Sequence, residues 1–179
     1  MPDRLIFLCG FMGAGKSRIG WLLARKMKYS FYDLDDVIVE FENRSVNEIF
    51  EQSGEAHFRK LEKENFTKLT RLSTAVIALG GGTLGNDGIP ELIRHSGRLV
   101  YIRLSTDDLV ERLKNSRKRP LLKKPDGTWR NPDELRLFIE QLRAKRESDY
   151  ELADTIFEPA LNGTPEENAD KLYHILNKS

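Results

Sequence analysis

Gly10-Phe11-Met12-Gly13-Ala14-Gly15-Lys16-Ser17 fits the pattern G-x-x-x-x-G-K-[ST], and its place in the chain decides the fold. It follows the continuous apolar run Leu5 to Cys9, as expected of a parallel strand buried on both faces. It precedes Arg18 to Lys28, where Ile19, Leu22, Leu23 and Met27 recur at helical spacing. Glycines let such a loop curl so that successive N–H groups of Gly13, Ala14 and Gly15 point inward at phosphate oxygens, and the following helix turns its positive end to the same anion. Lys16 then reaches the β- and γ-phosphates of a nucleotide, and the Ser17 hydroxyl suits Mg2+, which takes oxygen ligands. The plain alternative, a glycine turn that binds nothing, leaves the full eight-position match between strand and helix unexplained.

Outward from the loop the same rhythm recurs. Ala75 to Leu79 ends in Gly80-Gly81-Gly82, and Arg98 to Leu104 runs into Ser105-Thr106-Asp107-Asp108, a candidate capping box. Ser30 to Tyr32 and Thr155 to Phe157 read as further strands, Glu55 to Thr70 as an amphipathic helix, and Thr164-Pro165-Glu166-Glu167 as the start of another with Ala169, Leu172, Tyr173 and Leu176 on one face. Strand and helix in alternation predict an α/β fold of three layers, a five-stranded parallel sheet covered on both sides, in one domain over residues 1–179. Asn115 to Arg130, rich in Lys, Arg, Pro and Gly, breaks the rhythm and reads as a mobile basic flap before Asn131-Pro132-Asp133-Glu134 opens a further helix.

Composition narrows the function. Lys plus Arg number 29 against 28 Asp plus Glu, so the net charge of +1 supplies no global field to recruit nucleic acid or an anionic membrane. Cys9, the one cysteine, cannot form an internal disulfide and suits a buried thiol in a reducing compartment. Met1 to Arg4 is followed by only five apolar residues, too few for a signal-peptide core, and no apolar stretch approaches membrane-spanning length, so a cytoplasmic location is expected. A GTPase needs Asn-Lys-x-Asp, and Asn177-Lys178 is followed only by Ser179, which favours ATP.

A phosphoryl acceptor needs a base or orienting carboxylate. Asp33-Leu34-Asp35 supplies two at the mouth of the second strand. Taken alone the pair does not choose, because Asp35 and Asp36 would equally cap a helix running from Val37. Downstream stand Gly54-Glu55-Ala56-His57-Phe58-Arg59-Lys60-Leu61-Glu62, the triple glycine Gly80 to Gly82, Arg119-Pro120-Leu121-Leu122 and Arg146-Glu147-Ser148-Asp149-Tyr150. In order and spacing, over essentially the whole chain, these motifs resemble the shikimate kinase family, with its nucleoside monophosphate kinase-like P-loop fold.

What that resemblance implies is an enzyme that moves the γ-phosphoryl group of ATP to the 3-hydroxyl of shikimate, with Mg2+, in the route to chorismate and the aromatic amino acids. It further implies a monomer with a lid at about 113–130 and a substrate-binding region at about 34–62. Asp33 matches the magnesium-linked carboxylate and Asp35 the acceptor-binding aspartate, the candidate base. Arg59 and Arg146 match the arginines that hold the substrate carboxylate, a task for a planar two-donor fork. Gly80, Gly81 and Gly82 match the turn that approaches the substrate ring, with Phe50 and Phe58 as pocket walls. Glu62, three residues after Arg59 on one helical face, is expected to hold the Arg59 guanidinium in place, against the alternative of an ordinary surface ion pair. Arg119 matches the lid arginine over the β- and γ-phosphates, and Arg112 the adenine-stacking arginine, whereas Arg117, Lys118, Lys123 and Lys124 read as solvated loop.

Two stretches depart from the family pattern. Lys123 to Arg130 makes a longer lid, and Glu147-Ser148-Asp149 stands where proline often precedes the tyrosine. Rival functions are another small-molecule P-loop kinase, gluconate kinase-like or acting on nucleoside monophosphates, which would not need Arg59, Arg146 and the triple glycine, and a non-catalytic nucleotide-binding module, which would not need Lys16, Asp35 and Arg119.

Overall fold

The apolar run forms strand β1 (Leu5–Cys9), buried at every residue. Side chains alternate across a strand, so Ile6 and Leu8 enter one hydrophobic core while Leu5, Phe7 and Cys9 enter another. Only a strand in the middle of a covered sheet can feed two cores. β1 indeed lies at the centre of a five-stranded parallel sheet with β2 (Ser30–Asp33), β3 (Ala75–Ala78), β4 (Arg98–Ile102) and β5 (Thr155–Phe157), in the order β2-β3-β1-β4-β5. The structure is a computed structural model describing residues 4–117 and 119–178, so the expectations touching Met1 to Asp3, Lys118 and Ser179 lie outside the described residues.

Helices cover both faces. Helix α1 (Lys16–Met27) contributes Ile19, Leu23 and Ala24 to the core that holds Ile6 and Leu8. Helices α2 (Leu34–Glu42), α3 (Val46–Leu69) and α4 (Ile89–Ser96) pack Ile38, Phe66 and Ile93 into the core that holds Phe7. α5 (Thr106–Leu113), α6 (Pro132–Ala144) and α8 (Pro165–Asn177) close the α1 face through Leu109, Ile139 and Leu172, while α7 (Glu147–Tyr150) is a single turn. Among the described residues no helix is long and apolar enough to cross a membrane.

Local corrections have identifiable causes. The helix after β2 starts at Leu34 rather than Val37, because Asp33 takes the cap by accepting from the Asp35 N–H at 3.2 Å. The helix expected from Glu55 is the second half of α3; a first half opens at Val46, under a capping box of Ser45 and Glu48, and the two are divided at Gly54, where φ 79° and ψ 171° leave the helical region. Ser105 caps α5 by accepting from the Asp108 N–H at 3.2 Å, one arm of the expected box, whereas Asn131–Glu134 and Thr164–Glu167 form both arms.

The basic flap has short-range order. Pro120–Leu122 makes one 3-10 turn, and Lys123 pairs with Trp129 in an isolated antiparallel bridge. Arg130 donates to the carbonyls of Leu121, at 3.2 Å, and Lys123, while its guanidinium sits 4.1 Å from the Phe138 ring centroid on α6. The flap is therefore tied to the body through cation–aromatic contact, which apolar periodicity does not reveal.

Gly97 joins α4 to β4 against the start of β1, where an added Cβ would fall 2.2 Å from the Leu5 carbonyl oxygen. Backbone cannot yield as a side chain can, so Gly97→Ala is expected to destabilise the protein by about 2 kcal/mol or more. Urea denaturation measures this, and a loss under about 0.5 kcal/mol would mean that the junction is looser than described.

Candidate active site

Three adjacent strands deliver their carboxyl-end loops to one cleft of about 670 Å³: Gly10 to Ser17 after β1, Asp33 to Asp36 after β2 and Leu79 to Gly82 after β3. This is the edge at which open parallel sheets bind ligands. α1 begins here with Gly15 at φ 100° and no side-chain cap. Side chains cap α2, α3, α5, α6 and α8, whereas α1, like α4 and α7, has no side-chain cap, and its first-turn amides at the cleft are left to whatever anion enters. The Lys16 ammonium donates to the carbonyls of Gly10 at 2.8 Å and Phe11 at 3.2 Å. Burial lowers its pKa to about 8, an effect countered in part by the Asp35 and Asp33 carboxylates, so the ammonium remains largely charged at neutral pH.

The tertiary structure separates the two aspartates that spacing alone left equivalent. Asp33 Oδ2 accepts from the Ser17 hydroxyl at 2.5 Å while its Oδ1 caps α2. With the cap supplied by Asp33, the Asp35 side chain lines the cleft. Burial, with Asp33 and Glu62 adding negative charge nearby, raises its pKa from 3.8 to about 6. A carboxylate so tuned is a better proton acceptor than an exposed one while still ionised at neutral pH.

The glycine turn after β3 is the meeting point of the remaining groups. An added Cβ would lie 3.0 Å from Asp35 Oδ1 at Gly80, 3.0 Å from an Arg146 guanidinium nitrogen at Gly81, and 3.0 Å from an Arg59 guanidinium nitrogen at Gly82. One carboxylate and two guanidinium groups, from α2, α3 and the start of α7, thus press on one short stretch of backbone. Arg59 donates to Glu62 at 2.8 Å, and Glu62 is only 1% exposed, so this is no ordinary surface ion pair. Phe50 and Phe58 stack with ring centroids 4.7 Å apart and line the same cleft.

Arg119 also lines the cleft, and its charge contributes to lowering the Lys16 pKa. Two of the expected residues stand off it. The Ala14 side chain is buried in the core beneath the loop, leaving only its backbone to a ligand. Arg112 lies against the far side of the loop, donating to the Gly13 and Ala14 carbonyls at 3.3 Å each.

Sequence reasoning passed over three residues that organise this cleft. Tyr150 donates its hydroxyl to the Gly81 carbonyl at 2.5 Å, holding the turn against α7, where the Arg143–Glu147 ion pair closes at 2.7 Å. Arg146 keeps its approach to Gly81 although proline is missing from the stretch that follows. Thr83 and Asn86 both donate to Glu62, at 2.6 and 3.2 Å. Only Tyr150 had a signal, its fixed interval from Arg146; a threonine and an asparagine after a glycine turn read as loop chemistry.

Comparison with known proteins places these features. The family model described as shikimate kinase matches residues 12–177. The shikimate kinase of Chlorobaculum tepidum is 45% identical over 152 residues, covering 85% of this chain and 80% of that protein. The crystal structure of shikimate kinase from Bacteroides thetaiotaomicron superposes with a TM-score of 0.88 at 32% identity, over 98% of this chain and 99% of that one. Shikimate kinase from Acinetobacter baumannii in complex with shikimate gives a TM-score of 0.85 at 27% identity, over 98% and 93%.

Because folding raises the Asp35 pKa above its unfolded value, the ionised carboxylate destabilises the native state; the penalty is full above about pH 6 and fades as pH falls towards 3.8. Asp35→Asn should therefore be more stable than the parent by about 2 kcal/mol at pH 7.5, with the gain shrinking towards pH 5. Denaturant melts at both pH values measure it, and a variant less stable at pH 7.5 would contradict the strained charge.

Proposed function

This chain belongs to the shikimate kinase family, and we propose that its cleft moves the γ-phosphoryl group of ATP to the 3-hydroxyl of shikimate with Asp35 as the base. The observation that carries the residue roles is the glycine turn, which touches the base and both arginines at once. An acceptor with a carboxylate at one end and ring hydroxyls at the other fits that arrangement. Arg59 and Arg146 hold the carboxylate, and Gly80 to Gly82 admit the ring where any side chain would collide. Asp35 receives the hydroxyl proton as the oxygen attacks phosphorus.

On the nucleotide side, the amides of Gly13 to Ser17 and the Lys16 ammonium bind the phosphates, and Arg119 meets the charge that develops on the transferred group. Arg112 stands behind the loop for the adenine. The Ser17 hydroxyl donates to the Asp33 carboxylate at 2.5 Å beside that loop, and this pair of oxygens fits Mg2+ as ligands. When bound, the ion neutralises phosphate charge. The lid, about 113–130, brings Arg119 and Leu121 over the cleft and excludes water, limiting idle hydrolysis. Every group named comes from one chain of one domain, so a monomer suffices, and a cytoplasmic setting agrees with ATP use and a free, buried Cys9.

A coupled ADP-release assay with shikimate, gluconate and nucleoside monophosphates tests the acceptor, and turnover is expected with shikimate alone. Activity confined to another acceptor would overturn it. Asp35→Asn is expected to reduce phosphoryl transfer at least about tenfold while leaving the KM for ATP nearly unchanged. Arg59→Lys, which keeps the charge and loses the fork, should raise the KM for shikimate about tenfold; an unaltered KM would count against this placement.

A further inference from the structure

A carboxylate buried to the extent of Glu62 is retained only if its oxygens meet donors. Arg59 satisfies one part of that demand, through Oε2 at 2.8 Å. The Thr83 hydroxyl donates to Oε1 at 2.6 Å, and the Asn86 amide donates to Oε2 at 3.2 Å. The same Asn86 nitrogen donates to the backbone carbonyl of Arg59 at 2.7 Å. Both acceptors are oxygens, so the amide can stand only one way round, with its two protons divided between the side chain of Glu62 and the backbone of Arg59.

Thr83 and Asn86 are themselves fixed to the glycine turn. Thr83 is 0% exposed and its N–H donates to the Gly80 carbonyl at 3.2 Å, while the Asn86 N–H donates to Thr83 at 3.1 Å. A continuous chain of hydrogen bonds therefore runs from the glycine turn through Thr83 and Asn86 to Glu62 and on to Arg59. Arg59's other partner, Glu55, has a side chain 68% exposed, and an ion pair with so hydrated a carboxylate defines position poorly. The placement of the guanidinium beside Gly82 is set from the buried side.

We propose that Thr83 and Asn86 are positioning residues for the acceptor: acting through Glu62, they lock the Arg59 guanidinium against the glycine turn so that it is ready for a carboxylate before one arrives. The proposal rests on Arg59 holding the acceptor carboxylate. Preorganisation of this kind appears in acceptor affinity, because a loose guanidinium must be ordered at the moment of binding. The ATP side, built from α1 and the lid, shares none of these bonds.

Steady-state kinetics of Thr83→Val, Thr83→Ser, Asn86→Ala, Arg59→Lys and the Thr83→Val/Arg59→Lys double variant test it. Thr83→Val keeps the shape and loses the donor; it should raise the KM for shikimate about tenfold, with kcat and the KM for ATP within about threefold. Thr83→Ser restores the hydroxyl and should return the KM to within about twofold of the parent, and Asn86→Ala should move it in the same direction as Thr83→Val. Since Thr83 acts through Arg59, the double variant should bind shikimate no more weakly than Arg59→Lys alone. An unchanged KM in Thr83→Val and Asn86→Ala, alongside a raised KM in Arg59→Lys, would overturn the proposal and leave the role of Arg59 intact. Fully additive effects in the double variant, or failure of serine to rescue, would also overturn it. An Arg59→Lys variant with parental KM would instead remove the assignment of Arg59 beneath it. Should Thr83→Val not fold, Asn86→Ala and the Asn86→Ala/Arg59→Lys pair apply the same criteria.

Discussion

Burial of β1 on both faces is the constraint from which the cleft follows. A strand that feeds one core through Ile6 and Leu8 and another through Phe7 and Cys9 must lie inside the sheet, with parallel neighbours on each side. Its carboxyl end is then flanked by those of β3 and β4, and the loop that leaves it stands at the middle of the ligand-binding edge. β2, one strand further out, brings Asp33 and Asp35 to the same edge. Phosphate loop, aspartates and glycine turn are neighbours because their strands are.

Around that edge the protein gathers charge of both signs under partial burial, and each group takes its character from the others. Lys16 is made less basic by burial and more so by Asp35 and Asp33; Asp35 is made a stronger base by burial and by Asp33 and Glu62. Such an arrangement strains the native state in exchange for groups poised to act, a common property of active sites. Glu62 shows how the strain is contained. Fully withdrawn from solvent, it is met by an arginine, a hydroxyl and an amide, and it becomes the rigid point from which Arg59 is aimed.

Much of this was legible in the residues. The strand, loop and helix about Lys16, the five strands and the layered fold followed from apolar runs and glycine punctuation, which are local and strongly periodic. Arg59, Arg146, Asp35 and the triple glycine were marked by their resemblance to a family, and the structure gathers them about one turn. What escaped was decided by contacts across the chain. The order of the basic flap comes from Arg130, which reaches the Leu121 carbonyl and lies over Phe138. Thr83 and Asn86 are unremarkable in a loop until Glu62 is set beneath them.

The amino-acid sequence by itself determined the layers, the central strand and the phosphate loop, because each depends on residues adjacent in the chain and on the period at which they bury themselves. Only the tertiary structure decided which aspartate engages Ser17, and which polar side chains secure Arg59. Those outcomes hang on donors and acceptors well apart in the chain, 16 residues for Ser17 to Asp33 and 21 for Thr83 to Glu62, and no local pattern encodes a hydrogen bond between strangers.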